Sequence, residues 1–483
     1  MSAPVRPNIL LIIADQHRAD CVEGAGHPLV RTPALLRLAR EGVHFTHAFT
    51  PVPCCAPARQ SLLCGEWPQS HGGLWNYGVG FPLPLFDRST WSEALLAAGY
   101  RTAYVGKWGV HPSRSPLDFG FQEYISSREY DTWRAAQGLS RPMPLLASSL
   151  PENAPVSRWF GGADPASLGS TRTHWCARQA IGLLERYACQ ERVSGGQSPW
   201  CLVLAFEEPH LPPYPADRFA EMYPPGTIPP WGSFGDPLLN KPYIQRQQLA
   251  SWGVERLGWE EWSLFVSRYL GMISQIDDAV GQVLRALDAL GLADSTLVIY
   301  TSDHGDNCGS HGMVDKHYIM YDDVVRVPLL LRWPDAFSKG RVCDAMVIHA
   351  LDLAATIYDV ATLEQPEHGA GRSLLPLCRG EEVADWREEA IAVANGAQFG
   401  LYCQRMLRDR HFKYVWNATD VDELYDLATD PWELYNLAAE AAYQGCMQHM
   451  RRRLLQALEA QGDALVRNEW MRAQLIQGRK FPR

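Results

Sequence analysis

The sequence has no dense cysteine framework, no excess of positive charge, no internal repeat and no low-complexity tract. Its twelve cysteines are scattered over 483 residues, whereas small disulfide-stapled domains crowd them together. The net charge of −10 argues against nucleic acid or an anionic membrane as the main partner, because both attract basic surfaces. A chain of this length favours a large globular domain accompanied by a smaller one.

The apolar run nearest the N-terminus, residues 9–14, is too short to cross a bilayer. It ends in Asp15 and further polar residues rather than at the small-residue cleavage site of a signal peptide. We therefore interpret it as a buried strand. We expect a cytoplasmic protein with mostly reduced thiols and no membrane association.

Apolar runs of strand length alternate with helical patterns through the first three-quarters of the chain, which predicts an α/β layer structure. Thr32 is the predicted N-cap of a helix over 33–41, and Thr90 with Glu93 predicts a capping box. Other predicted strands cover 102–105, 201–206, 296–300 and 327–333, and other predicted helices cover 264–290 and 351–358.

Two stretches rich in Pro, Gly and Trp, residues 142–169 and 212–258, have weak periodicity and predict long loops that shape the substrate site. From about residue 376 the pattern changes to short strands (390–394 and 411–416) and a final helix over 440–461. The predicted domains are therefore a catalytic α/β domain, 1–375, and a small α+β domain, 376–483.

Polar residues follow two of the predicted strands directly. Asp15 follows the first strand, and Asp303 and His304 follow the strand over 296–300. Ligands bind outside the carboxyl ends of strands in open α/β sheets, and such side chains offer oxygen and nitrogen ligands to a divalent cation. The alternative is that both aspartates are helix caps or turn residues.

A cysteine-containing segment, Cys54-Cys55-Ala56-Pro57-Ala58-Arg59, enters a predicted helix at Pro57. Its thiols could simply be buried and inert. A zinc site is a poor alternative because no two cysteines have the Cys-x-x-Cys spacing. A thiolate nucleophile activated by Arg59 and the helix N-terminus is the third possibility.

The run Cys55-x-Pro57-x-Arg59, followed by Leu62-Leu63-x-Gly65, resembles the core motif of the sulfatase family, in which the cysteine is oxidised to formylglycine. Further segments resemble the family in the right order: residues 9–16, Gly26-His27-Pro28, Thr32-Pro33, Leu38-Ala39-Arg40-Glu41-Gly42, Gly106-Lys107-Trp108, Pro209-His210-Leu211-Pro212, Thr301 to Asp306, Asp315-Lys316-His317, and Glu423 to Leu427 with Asp430-Pro431 and Glu433.

The resemblance implies an alkaline-phosphatase-like fold, with a large mixed sheet sandwiched by helices and a smaller C-terminal α+β domain. It implies that one divalent metal ion is held by four residues and that Arg59 orients the formylglycine hydrate. It also implies that three residues bind sulfate oxygens or protonate the leaving group, and that a formylglycine-generating enzyme matures the protein. The implied metal ligands are Asp15, modified Cys55, Asp303 and His304, and the implied sulfate-binding residues are Lys107, His210 and Lys316.

Several positions depart from the family pattern. Ala58 and Cys64 replace residues that are usually Ser and Thr, which bears on recognition by the maturing enzyme. Gln16 stands where many relatives have a second aspartate ligand, so Mn²⁺ or Mg²⁺ are alternatives to the favoured Ca²⁺. Gly109 replaces a histidine that commonly follows Lys-Trp, and His111 is the candidate substitute.

The leading hypothesis is hydrolysis of a small-molecule sulfate monoester to an alcohol or phenol and inorganic sulfate. The near rival is phosphonate monoester or phosphodiester hydrolysis at the same site, and Lys107 favours the sulfatase. A catalytically silent binding protein on the same fold is the rival from another class. Aromatic walls could hold a phenyl ring, a sugar or a quaternary ammonium group. The tail over 470–483, placed beyond the last helix, suggests contact with a second copy in a homo-oligomer.

Overall fold

The computed structural model describes residues 6–78, 84–144, 159–194, 198–316, 318–396 and 400–478; His317 and parts of the predicted loop and tail lie outside them. The strands are β1 (Asn8–Asp15), β2 (Val43–Phe45), β3 (Ala48–Phe49), β4 (Arg101–Gly106), β5 (Glu123–Ser126), β6 (Met143–Pro144), β7 (Gly162–Ala163), β8 (Trp200–Pro209), β9 (Thr296–Ser302), β10 (Leu329–Arg332), β11 (Arg341–Cys343), β12 (Val347–Ile348), β13 (Ala390–Gly396), β14 (Tyr402–Arg408), β15 (Phe412–Asn417) and β16 (Glu423–Asp426). The helices are α1 (Pro33–Glu41), α2 (Cys55–Cys64), α3 (Pro68–His71), α4 (Trp91–Ala97), α5 (Ser127–Ala136), α6 (Arg172–Ser194), α7 (Asp217–Ala220), α8 (Tyr243–Trp252), α9 (Trp259–Leu290), α10 (Asp322–Val325), α11 (His349–Val360), α12 (Leu375–Arg379), α13 (Gln444–Ala460), α14 (Ala464–Arg467) and α15 (Glu469–Gln477).

A large mixed sheet forms the centre of the molecule, as expected. Within the described residues its strand order is β11-β2-β10-β9-β1-β8-β4-β5. The strands β9, β1, β8, β4 and β5 run parallel, whereas β10 is antiparallel to β9 and to β2. The central strand β1 therefore ends level with its parallel neighbours, at the edge where the predicted ligands lie.

Helices cover both faces of this sheet because both faces of β1 are apolar. Ile9 and Leu11 face a core that includes side chains of α2, α4 and α11. Leu10 and Ile12 face the opposite core, which includes side chains of α1, α6 and α9. All four are fully buried, and each contributes about 1.5–3 kcal/mol of hydrophobic stabilisation. The sheet sandwiched by helices is thus confirmed.

A smaller antiparallel sheet, β13-β14-β15-β16, follows near the C-terminus, which confirms a C-terminal α+β unit. The predicted final helix is α13, but it is not final, because α14 and α15 come after it. Val466 and Leu475 of these helices pack with Leu454 of α13. The placement of the tail beyond the last helix was therefore wrong for 470–477, which lie in α15. The boundary between 375 and 376 stays a prediction.

Helix α8 lies inside a stretch that the sequence predicts as a loop, and that prediction was wrong there. Its buried face contains Ile244 and Trp252 but also Gln245 and Gln248. Gln248 donates hydrogen bonds to two backbone oxygens, those of Val314 and Lys316. Since half of this buried face is polar, the sequence gives no apolar period from which to predict a helix.

The start of α1 is capped by a residue from another helix. Thr32 makes no capping hydrogen bond; instead the carboxylate of Asp277 on α9 accepts from the backbone N–H groups of Ala34 and Leu35 at 3.0 and 2.8 Å. Thr32 therefore occupies the predicted N-cap position, but its side chain does not cap the helix. The capping box at Thr90 is confirmed.

Among the described helices, none has both the length and the apolar character needed to cross a membrane. The cysteines all lie within the described residues, and each is a free thiol.

Candidate active site

Four predicted metal ligands lie together at the carboxyl ends of β1 and β9. Asp15 ends β1, and Asp303 and His304 follow β9, whose Ser302 is level with Ala14. Cys55 is the first residue of α2. The ligand atoms of Asp15, Cys55, Asp303 and His304 all lie within 4.8 Å of one another, and the four residues are buried. The fold therefore brings together the four residues that the sequence predicts as metal ligands.

The imidazole of His304 is held so that its Nε2 atom faces the cluster. Its Nδ1 atom donates to the carbonyl oxygen of Gly305 at 2.8 Å, and Nε2 lies 3.1 Å from Cys55 Sγ. A hydrogen bond of this kind fixes the ring orientation of a metal-binding histidine. The residue is thus oriented as a nitrogen ligand.

Arg59 lies one helical turn after Cys55 and joins the two carboxylates of the cluster. Its Nη2 donates to Asp15 at 2.9 Å, and its Nε donates to Asp303 at 2.9 Å. The guanidinium is buried, so both aspartates remain charge-compensated in a region of low dielectric. Arg59 therefore supports the ligand carboxylates directly, a contact that the sequence resemblance does not specify.

Lys107 reaches the cluster from the end of β4, and its Nζ lies 2.5 Å from Asp15 Oδ2. The glycine before it is required by the close approach of β8, because a Cβ on Gly106 would lie 1.9 Å from the carbonyl oxygen of Ala205. Trp108 is buried against Tyr104 in the core. In this motif the lysine therefore faces the site and the tryptophan does not.

Lys316, His210 and Gln16 form a second group beside the four candidate metal ligands. Lys316 Nζ lies 3.0 Å from His210 Nε2 and donates to Gln16 Oε1 at 2.7 Å. It also pairs with Asp315 at 3.1 Å, so this ion pair exists alongside the contacts with His210 and Gln16. The amide oxygen of Gln16 is therefore occupied by the lysine, a contact that the sequence alone did not reveal.

His111 does not occupy the position of the histidine that is missing at Gly109. Its Nδ1 atom accepts hydrogen bonds from the backbone N–H groups of Ser113 and Arg114 at 3.1 and 2.8 Å. A Cβ on Gly109 would lie 3.3 Å from Arg59 Cδ. Arg59 thus crowds the position from which a side chain would otherwise reach the site.

The electrostatic environment favours anions at Cys55. Burial and Asp15 raise the pKa of the Cys55 thiol, but the cationic groups around it, above all Lys316, hold it well below its usual value. Burial also opposes ionisation of Asp15, yet Lys107 and Arg59 hold the pKa of that carboxyl well below its usual range. A cluster of cations around a buried nucleophile is suited to an anionic substrate.

A cavity of about 810 Å³ opens beside these residues and is bordered by Lys107 and His210. Its size fits a small organic ligand. Glu207 and Glu208 form part of its wall and were not singled out from the sequence, although two consecutive carboxylates at the end of a strand, just before His210, were the available signal. The wall also includes Tyr130, Arg134, Arg172, Tyr214 and Met272.

Comparisons with known proteins agree with this geometry. A family model described as Sulfatase matches residues 7–363, and one described as N-sulphoglucosamine sulphohydrolase, C-terminal, matches residues 309–460. The chain is 28% identical to an arylsulfatase of Clostridium perfringens, over 94% of this chain and 95% of that protein. It is 26% identical to an N-acetylglucosamine-6-O-sulfatase of Bacteroides thetaiotaomicron, over 94% and 86%.

The fold also matches a crystal structure of the phosphonate monoester hydrolase of Agrobacterium radiobacter, with a TM-score of 0.78 and 28% identity over 94% of this chain and 96% of that one. The first family model covers well over half of the chain, including all four candidate metal ligands. The chain therefore belongs to the sulfatase family.

Proposed function

We propose that the protein hydrolyses a sulfate monoester to an alcohol or phenol and inorganic sulfate, using a formylglycine made from Cys55. The observation that carries this proposal is the convergence of Lys107, Lys316 and His210 around the buried cluster that contains Cys55. A maturing enzyme that oxidises cysteine is the implied partner. The names of the arylsulfatase and the N-acetylglucosamine-6-O-sulfatase support the reaction class.

The donor atoms of the cluster fit a divalent cation, because two carboxylates and an imidazole already lie within coordination reach of one another. We favour Ca²⁺, with Mn²⁺ or Mg²⁺ as alternatives. When bound, the cation would lower the pKa of the nucleophile and offset the negative charge of the sulfate. Asp303→Asn should greatly reduce the metal content measured by inductively coupled plasma mass spectrometry, whereas Asn at the surface residue Asp294 should not.

Different residues of this chain carry out the other steps of the reaction. Formylglycine would supply a hydrated aldehyde whose hydroxyl attacks sulfur. Lys107 and Lys316 bind the sulfate oxygens and stabilise the charge that develops on them. His210 donates through Nδ1 to the carbonyl oxygen of Leu211 at 2.7 Å. Its Nε2 lies 3.0 Å from Lys316 Nζ, so it can accept a proton from the lysine and pass it to the departing oxygen.

Phosphonate monoester hydrolysis is the second candidate, and the similarity to the Agrobacterium enzyme favours it. Gln16, in place of a second acidic ligand, agrees with either chemistry. Lys107 favours a sulfate ester. Turnover of 4-nitrophenyl sulfate should exceed turnover of an aryl phosphonate monoester, and much faster phosphonate hydrolysis would overturn the first choice.

A mass measurement separates an enzyme from a silent binding protein. The peptide that contains Cys55 should be about 18 Da lighter than its unmodified form, because oxidation to the aldehyde removes sulfur and two hydrogens and adds one oxygen. Cys55→Ala should abolish turnover. An unmodified peptide from a host able to make formylglycine, together with no turnover, would favour the silent protein.

A further inference from the structure

The cavity beside the active site has a charged wall that the proposed reaction does not use. Arg172 Nη1 pairs with Glu207 at 2.5 Å, and Arg172 Nε pairs with Glu208 at 2.8 Å. Ser127 Oγ donates to Glu207 at 2.5 Å. About 30% of the Arg172 and Glu207 side chains remains exposed, and both line the cavity. The pair is therefore fixed in position yet available to a ligand.

Glu207 lies close to the place where a substrate would react. It precedes His210 by three residues at the end of β8, and β8 is paired with β4, which carries Lys107 after its last residue. Glu207, Lys107 and His210 all border the same cavity. A group that leaves from a sulfate bound by Lys107 therefore enters the space in front of Glu207.

The chemistry of this wall selects among possible leaving groups. A carboxylate beside a guanidinium offers a hydrogen-bond acceptor next to a donor, and neighbouring hydroxyl groups satisfy both. A purely apolar ring would displace water from both charged groups without replacing the lost hydrogen bonds. A quaternary ammonium ion has no hydrogen to donate to Glu207 and no acceptor for Arg172, so it would leave both groups without the hydrogen bonds that hydroxyl groups supply.

The remaining wall suits the same class of ligand. The rings of Tyr130 and Tyr214 and the apolar side chains of Leu211 and Met272 border the cavity. Sugars present C–H faces that pack against aromatic and apolar surfaces, and hydroxyl edges that hydrogen-bond to polar ones. The combination of charged and apolar walls thus matches a carbohydrate more closely than an aryl or alkyl group.

We propose that the leaving group is a hydroxyl-rich alcohol of the carbohydrate class, and that Glu207, held by Arg172 and Ser127, accepts hydrogen bonds from hydroxyls near the sulfated oxygen. This assignment rests on the proposed sulfatase function. It makes Glu207 a residue that determines specificity rather than one that takes part in sulfate transfer.

The first test compares esters of matched reactivity. The formylglycine-containing protein is assayed with the 2-, 3- and 6-sulfates of glucose, galactose and N-acetylglucosamine. Hexyl sulfate and cyclohexyl sulfate serve as hydroxyl-free esters of primary and secondary alcohols, and choline sulfate serves as the cationic ester. At least one sugar sulfate should exceed all three in kcat/KM by about tenfold or more. An equal or higher value for hexyl, cyclohexyl or choline sulfate would overturn the assignment.

The second test concerns Glu207 itself. The ratio of kcat/KM for the best sugar sulfate to kcat/KM for 4-nitrophenyl sulfate should fall about tenfold or more in Glu207→Ala. Glu207→Gln retains a hydrogen-bond acceptor, so the ratio should fall less in this variant. Glu123→Gln, on β5, breaks a comparable 2.5 Å pair with Arg186 of α6, outside the cavity wall, and the ratio should be unchanged in this variant. An unchanged ratio in Glu207→Ala refutes the role of Glu207.

Failure of the proposed function gives a different result. In that case the formylglycine-containing protein releases no sulfate from 4-nitrophenyl sulfate or from any other ester. Turnover of 4-nitrophenyl sulfate without a preference for any sugar sulfate leaves the sulfatase function intact and removes only the carbohydrate assignment.

Discussion

Lys107 reaches the candidate metal ligands because the residue before it has no side chain. Gly106 lets β4 approach β8 so closely that a Cβ there would collide with the carbonyl oxygen of Ala205. The carbonyl oxygen of Lys107 accepts hydrogen bonds from Tyr104 at 2.6 Å and Arg59 at 3.2 Å. These two hydrogen bonds fix the backbone of Lys107, and its ammonium group contacts Asp15 in the absence of substrate.

We expect Lys107→Ala to lower kcat/KM for a sulfate ester by about 10²–10³, the loss typical of removing one group that stabilises transition-state charge. The fold should persist, because the side chain is partly exposed and Asp15 keeps its contact with Arg59. Steady-state kinetics and a thermal melt measure the two effects. Lys339→Ala, at an exposed residue, is the control. A loss smaller than about threefold in Lys107→Ala would contradict the role of this lysine.

At the scale of elements, the helix α1 depends on a carboxylate that the sequence places far away. Asp277 is buried in α9 and accepts from two backbone N–H groups at the start of α1. Burial raises the pKa of Asp277 to about 7, although these two hydrogen bonds lower it. The helix α1 is therefore capped by a group that titrates near neutral pH.

The stability of the protein should reflect this titration. The folded-state pKa of Asp277 is about 7, above the value of about 3.9 in an unfolded chain. Between these two pKa values the folded protein carries a proton on Asp277 that the unfolded chain has lost. The stabilisation that results from this proton decreases as the pH rises and is gone above the folded-state pKa of about 7. Asp277→Asn cannot titrate, so the melting temperature of the wild type relative to this variant should fall between pH 5 and pH 8, by about 2 °C.

The control for this prediction is another aspartate of α9 that contacts α1. Asp288 pairs with Arg37 at 2.7 Å but is 40% exposed. The difference between wild type and Asp288→Asn should stay within about 0.5–1 kcal/mol at both pH values, as for other surface ion pairs. A melting-temperature difference for Asp277→Asn that does not change with pH would refute the shifted titration.

These elements also show what the sequence could predict. The central strands were predictable because each is a continuous apolar run. The helix α9 was predictable because it has a strong apolar period and a clear end at Gly291, which is in the left-handed conformation. The cap of α1 was not, because Asp277 lies more than two hundred residues from Ala34. The helix α8 was missed because it buries glutamines, whose hydrogen-bond partners become known only from the fold.

The same distinction applies to the active site. Asp15 and Asp303 were predictable because each directly follows a strand, and parallel strands end at one edge of the sheet. The wall formed by Ser127, Arg172 and Glu207 was not predictable, since three separate elements contribute to it. Site residues at the ends of strands can thus be predicted from the sequence pattern, whereas the shape of the substrate cavity depends on how distant segments pack.

At the scale of the whole molecule, the C-terminal sheet is joined to the large domain by a shared core and by buried charges. Met320 and Val325, which follow Lys316 along the chain, pack with Met406 and Val415 of the small sheet. The small sheet therefore supports the segment that carries Lys316, a proposed sulfate-binding residue, and we expect the two units to unfold together.

Lys413 on β15 is the buried charge on which this junction depends. Its Nζ pairs with Asp322 and Glu433, each at 2.6 Å, and donates to the carbonyl oxygen of Met320 at 2.9 Å. The lysine side chain is fully buried. Without it, Asp322 would keep its pair with Arg408 at 3.1 Å, but Glu433 would lose its pair with the lysine, and an uncompensated charge in a region of low dielectric is strongly destabilising.

We therefore expect Lys413→Met to lower the free energy of unfolding by about 3–5 kcal/mol. Because the junction is shared, the urea midpoints for loss of near-ultraviolet circular dichroism and loss of sulfate ester hydrolysis should shift together. Arg410→Met, on the same hairpin, removes an ion pair to Asp344 that is largely exposed and should cost no more than about 1 kcal/mol. If Lys413→Met instead unfolds in two transitions and keeps its activity through the first, the C-terminal sheet is an independent unit that the catalytic segment does not need.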